Sequence, residues 1–410
     1  MKRFRMVLIG LLLLAVPVAG VVASDGIATD ETMVAQEDGI IFGLIMVGPH
    51  DDQGWSQAHY EGGEYVEANV EGAEMIWAEL INPADNPDRT LDLVVEDLVD
   101  QGAQIIIANS DEYKNDVNAV APSFPDVVFL HISGDAVLTG DAPPNVTNIM
   151  GQMVYGKAMA GCAAALTTET GKIAYLGPLI NDETRRLANA AYLGARHCYA
   201  ERGMDPDALE FEVVWIGFWF EIPGFTLSPT EVVNDFYNGG ADVVLSGIDT
   251  TQAIVVAGQR AREGEAVWAV PYDYVGACAE APEACLGVPY FNWGPAYVEL
   301  IQSVMDGTFE PSWDWLPPDW SDLNNPDTTA IGFVKGDALS EEASASLDAF
   351  IELLSTSTIG EDTEFNLWAG PLNWQDGSEY VAEGEVASLE DVWYSGQLLE
   401  GMTGDSVPAE

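Results

Sequence analysis

The sequence predicts an α/β protein made of two similar halves, each on a parallel sheet, and three observations carry that prediction. From Gly39 onward, short apolar runs alternate with helical stretches at the spacing of βαβ units. The run at residues 40–47 stops at Gly48-Pro49, passes through a polar turn (His50, Asp51, Asp52, Gln53, Gly54, Trp55) and enters a helical pattern. A buried parallel strand, a ligand-facing loop and a helix N-terminus are written this way. Two phrases, VEDLVDQGAQIIIA at 95–108 and VNDFYNGGADVVLS at 233–246, then repeat one unit. Each is a helix ending at a glycine cap, a polar turn and a buried strand, which argues for two halves rather than one sheet.

Taken in order, strands are expected at 40–47, 74–79, 104–108, 127–131, 148–150, 173–176, 211–216, 243–246, 267–270 and 287–291. Helices fall between them at 56–70, 90–101, 157–167, 183–200 and 251–262, with right-handed crossovers. After Thr308 the texture changes. Residues 310–325 carry Trp313, Trp315, Pro317, Pro318 and Trp320 and read as a packed irregular segment. Residues 340–354 form a helix opened by Ser340 and Glu341, and Asp376-Gly377 signals a hairpin. Residues 401–410 read as a disordered tail.

At 410 residues the chain is long enough for two cores. Lys2, Arg3 and Arg5 precede an apolar run at 6–22, and Val21-Val22-Ala23 offers small residues for cleavage before Ser24. Residues 1–23 therefore read as a Sec-type signal peptide, with an uncleaved anchor as the alternative, and 24–38 as an acidic flexible linker. No cysteine lies near the cleavage point, so no lipid anchor is available there. The protein is expected to be exported, to the periplasm or the cell surface. Four cysteines suit two disulfides in such a compartment. Cys278 and Cys285 share one short loop, and Cys162 and Cys198 fall on neighbouring helical segments. No CxxC spacing or histidine cluster supports zinc.

Lys plus Arg number 14 against 67 Asp plus Glu, for a net charge of −53. Such a surface repels nucleic acid and anionic lipid. The acids are dispersed rather than blocked, which suits solubility at high ionic strength or in an acidic exterior.

In open α/β sheets, ligands sit outside the carboxyl ends of the strands. The loops there carry Asp51, Asp52 and Trp55; Ser110, Glu112 and Tyr113; Phe218, Trp219 and Phe220; Asp249; Tyr272, Asp273 and Tyr274; and Tyr290, Asn292 and Trp293. They are rich in aromatics and carboxylates and nearly devoid of cations. That composition suits a neutral flat or sugar-like solute rather than a phosphate, and no phosphate-binding glycine motif occurs. The same residues offer a metal-dependent hydrolase only His50, Asp51, Asp52 and Asp273, and the four histidines are scattered. The chain is read as non-enzymatic, without a cofactor.

The stretches VGPHDDQGWSQAHYEG, FPDVVFLHISG, TGKIAYLGPLI, VVWIGFWFEI, GGADVVLSGIDTTQA, PYFNWGPAYVELIQSVMDGTF and WAGPLNWQDGS run in one order over residues 40–399. In that series the chain resembles the basic membrane protein family of extracytoplasmic solute-binding proteins, which includes purine-nucleoside receptors that feed ABC importers. The resemblance implies a periplasmic-binding-protein type I fold, two Rossmann-like lobes joined by a three-strand hinge and closing on a ligand. It implies lobe I at 39–148 plus 292–320 and lobe II at 149–291 plus 321–400, a small-molecule solute, an ABC permease as partner and a monomer. Residue by residue it implies ligand-binding roles for Asp52, with Asp51 beside it, and for the stacking Trp55. On the other side it implies Trp219, Asp273 for ribose hydroxyls and Asn292, while the strand-end loops add Ser110, Tyr113, Asp249 and Trp293 as ligand-binding candidates. The third-loop acid is Asp111 or Glu112. The chain departs from the nucleoside binders in reading Asp-Asp-Gln-Gly-Trp where they carry Asp-Asn and Ser-Phe, and in lacking a lysine near Asn292. A ligand-sensing module for a membrane receptor remains the alternative role.

Overall fold

The structure, a computed structural model, describes residues 39–408. The expected signal peptide and linker lie outside the described residues. The strands, in chain order, are β1 (Ile40–Ile45), β2 (Ala73–Ala78), β3 (Ile105–Ala108), β4 (Val128–Ile132), β5 (Val146–Gly151), β6 (Lys172–Gly177), β7 (Glu210–Trp215) and β8 (Val243–Ser246). They continue as β9 (Trp268–Val270), β10 (Gly287–Phe291), β11 (Trp313–Leu316), β12 (Ile331–Lys335), β13 (Leu372–Asn373), β14 (Glu379–Val381) and β15 (Met402–Thr403).

Six strands form a parallel sheet in the order β11-β5-β4-β3-β1-β2. Five form a second parallel sheet, β15-β7-β6-β8-β9. The central strands β3 and β8 are buried along their whole length, which is why IIIA and VVLS carry no polar alternation. Between the sheets runs the antiparallel ladder β10-β12. The chain crosses from one sheet's side to the other three times: after β5, after β10 and after β11.

The helices are α1 (Trp55–Asn69), α2 (Leu91–Asp100), α3 (Lys114–Val120), α4 (Ala136–Thr139), α5 (Met153–Thr167) and α6 (Asp182–Glu201). After them come α7 (Pro229–Asn238), α8 (Gln252–Arg262), α9 (Gly294–Met305), α10 (Glu341–Leu354) and α11 (Leu389–Trp393). Helix α5 is buried almost all round, as its alanine-rich sequence allows. It meets α6 where Gly161 and Gly194 face each other's partner backbone. A Cβ on Gly161 would collide with the Ala191 carbonyl, and one on Gly194 with that of Ala158. Cys162 and Cys198 join the same two helices, and Cys278 and Cys285 close their own loop.

Three sequence expectations change. The Trp-rich segment after residue 310 is not irregular throughout: Trp313–Leu316 pairs with β5 as an edge strand. The aromatic side chains that broke the helical pattern are good strand formers. Residues 401–408 are not a loose tail. Met402–Thr403 pairs with β7, and the Trp215 indole donates to the Asp405 carbonyl at 2.7 Å. Strand β5 also stays in the first sheet through Gly151, three residues past the boundary expected at 148.

Candidate functional site

A cavity opens where the carboxyl ends of the two sheets face each other. From the first sheet's side it is lined by Trp55 at the start of α1, by Ser110 and Asp111 after β3, and by Ser133 after β4. From the second come Tyr175 on β6, Glu183, Thr184 and Leu187 on α6, Trp219 after β7, Gly247 and Asp249 after β8, and Tyr272 after β9. The cavity is small: the centre of a water molecule has only about 20 Å³ in which to sit. The cavity is a thin slot.

The two sides touch around it. The Trp55 amide donates to the Asp249 carbonyl at 3.3 Å, a contact that a Cβ on Gly54 would obstruct. Asn181 Nδ2 donates to Asp111 Oδ2 at 3.2 Å, and the Tyr274 hydroxyl donates to Glu61 Oε1 at 2.9 Å. This is a closed arrangement.

Trp55 is held rigidly: its indole N–H donates to the Asn109 carbonyl at 2.7 Å. Phe291 and Trp293 meet its ring edge-on at 5.2 and 5.5 Å. Trp219 is half-buried, and its indole N–H has no partner within the protein, so a donor is left for a solute. Burial pushes the carboxyls of Asp111, Glu183 and Asp249 up, that of Asp249 well above the usual range. Such acids can hold a proton and donate as well as accept. Ser110 is steadied from below, where His131 Nε2 donates to its carbonyl at 2.9 Å and burial pushes that histidine down to about 4.

Behind Tyr272 lies a second polar layer. The Lys157 ammonium is buried, donates to the Ser246 carbonyl at 2.6 Å and sits 3.1 Å above the centre of the Tyr272 ring. Burial pushes it well below the ordinary lysine range. Asp273 is fully buried in a left-handed backbone conformation (φ 73°), and neither carboxylate oxygen has a hydrogen-bond partner in the protein. Burial drives its carboxyl well up, and the charge of Lys157 opposes that rise.

Of the expected site residues, Trp55, Ser110, Trp219 and Asp249 line the slot, and Asp111 takes the third-loop place. Others do not. Asp52 caps α1: Oδ1 accepts from the amides of Gly54 (2.8 Å) and Gln57 (3.0 Å), and Oδ2 from that of Ser56 (2.9 Å). Asp51 is exposed to solvent. The Tyr113 hydroxyl donates to the Ile81 carbonyl, away from the slot. Asn292 bonds the carbonyls of Pro326 and Thr329 at a chain crossover. Trp293 stacks on His59 at 4.3 Å and backs Trp55 as core. Asp273 stands behind the wall. Sequence reading missed Ser133, Tyr175, Glu183, Thr184, Leu187 and Lys157. The capping box of Asn181 and Thr184 at the start of α6 was the available pointer to that wall.

The family model described as ABC transporter substrate-binding protein PnrA-like (Bmp) matches residues 41–316. The chain belongs to this family. This Bmp protein is thus the substrate-binding component of an ABC transporter and not an enzyme. It is similar to a purine-binding protein of Brucella abortus (strain 2308), at 27% identity over 359 residues, 86% of this chain and 89% of that one. It is also similar to a Haloferax volcanii protein provisionally named as an ABC transporter glucose-binding protein, at 25% identity over 303 residues, 72% of this chain and 69% of that one. Among solved structures, an ABC transporter solute-binding protein from Conexibacter woesei superposes with a TM-score of 0.56 at 19% identity, covering 77% of this chain and 96% of that one. That likeness is one of fold. Among the described residues, no helix is long and apolar enough to cross a membrane.

Proposed function

We propose that this Bmp protein binds a purine nucleoside or a similar flat heteroaromatic solute between Trp55 and Trp219, and presents both closed lobes to its permease. The observation that carries the reading is that one tryptophan from each side lines the same thin slot. Aromatic faces take up planar rings, and carboxyls held high by burial can pair with ring N–H groups and with sugar hydroxyls. The purine-binding relative supports the same class. The test is a thermal-shift series with adenosine, guanosine, inosine, adenine and glucose, followed by calorimetry. A solute at 100 times its dissociation constant stabilises the fold by about 2.7 kcal/mol. A hexose is the second reading, favoured by the carboxylate-rich lining and by the Haloferax relative. A shift by glucose with none by the purines would establish it and remove the first.

A further inference from the structure

The family match ends at residue 316, yet the chain beyond it touches both sides of the cleft. Its root lies in the second lobe. Strand β15 pairs with β7, Arg185 Nε donates to the Ser395 carbonyl at 2.7 Å, and Asn189 Nδ2 donates to that of Gln397 at 2.9 Å. Its tip, α11, reaches the first lobe. The Trp393 ring meets Trp313 and Trp315 of β11 edge-on, with centroids 4.8 and 5.1 Å apart. The Tyr394 hydroxyl donates to Asp135 Oδ2 at 3.0 Å. On its other face Trp393 carries Arg186, whose guanidinium lies 4.0 Å from the ring centre and donates to the Trp393 carbonyl at 3.2 Å. The same guanidinium stands 3.5 Å from Glu183, a wall of the slot.

We propose that Trp393 is a positioning residue for the solute site: seated against both lobes, it fastens the cleft shut and fixes the Arg186–Glu183 pair at the cavity wall. A buried cation held by an aromatic face and a carbonyl has one place to sit, and the acid it pairs with is placed with it. The inference rests on the slot being the solute site and not on the solute being a nucleoside.

The experiment is small-angle scattering on the full chain without added solute, for the natural protein, Trp393→Phe, Trp393→Ala and Tyr394→Phe. Tyr394 is partly exposed, so its variant removes one interlobe hydrogen bond and leaves the cores intact. Trp393→Ala and Tyr394→Phe are expected to raise the radius of gyration, the alanine more, while Trp393→Phe keeps the natural value. Equal radii across the series overturn the proposal, whether all are compact or all extended. Calorimetry with adenosine then reads the site: Trp393→Ala weakens binding about tenfold, roughly the loss of one aromatic contact, and Trp393→Phe restores it. Adenosine failing with every variant and with the natural protein counts against the nucleoside reading, and the scattering still decides on Trp393.

Discussion

Replacing Asp52 with asparagine separates a ligand-contacting acid from a helix-capping one. Burial pushes the Asp52 carboxyl up to about 6, against the pull of the Gly54, Ser56 and Gln57 amides. Its ordinary value is 3.8. The unfolded chain therefore loses this proton at lower pH than the folded one, and the stability linked to the group falls as pH rises through about 6. A shift of about two units is worth about 3 kcal/mol in all. Working at or above pH 5 avoids the isoelectric region near 4.1. Between pH 5 and 7.5 the extra proton that the folded state holds at this group, summed over pH, amounts to about one proton across one pH unit, so about 1.4 kcal/mol of the effect falls there. Asparagine keeps one acceptor and cannot ionise. The difference in unfolding free energy, natural protein minus Asp52→Asn, should thus decline by about 1.4 kcal/mol over that interval in urea titrations. Loss of the Asp52 charge also relieves the buried Asp249 and Asp273, in the same direction. A difference that rises with pH would mean that the three amides win and the carboxyl lies low, refuting the reasoning. Loss of solute affinity with unchanged stability would return Asp52 to the ligand.

Three further outcomes are expected. Trp219→Ala, at a half-buried ring with no internal hydrogen bond, should weaken solute binding by roughly 10- to 100-fold in calorimetry, about 1–3 kcal/mol for a lost stacking platform, with little change in the melting temperature. Lys157→Met leaves the buried Ser246 carbonyl without its donor and removes the group that opposes the rise of Asp273, and should cost about 1–3 kcal/mol in urea unfolding. Serine at both Cys162 and Cys198 should cost about 4 kcal/mol, against about 2.5 kcal/mol at Cys278 and Cys285, because the first bond spans 36 residues and the second 7.

Much of the fold could be read because buried parallel strands are continuous apolar runs, and IIIA and VVLS are short runs of that kind. Trp55 and Trp219 were legible because each is an aromatic in polar company at a strand end, and both line the cavity. Asp52 was not, since the same Asp-to-helix spacing serves a cap and a ligand equally well, and only the geometry of its three amides decides. Tyr175 sits inside a strand pattern and reads as core until Gly247 beside it is seen to leave room. Glu183 looks like an ordinary acid of a helix's first turn. Its role depends on Asp111, bonded to Asn181 across 70 residues of sequence, and no local signal encodes that approach.

Strands β11 and β15 have a consequence for synthesis. The first sheet receives its edge strand only when Trp313–Leu316 arrives, and the second only with Met402–Thr403. A ribosome that has reached residue 310 has finished neither sheet. A product that ends before residue 313 leaves β5 and β7 as open edges ready to pair with a neighbour.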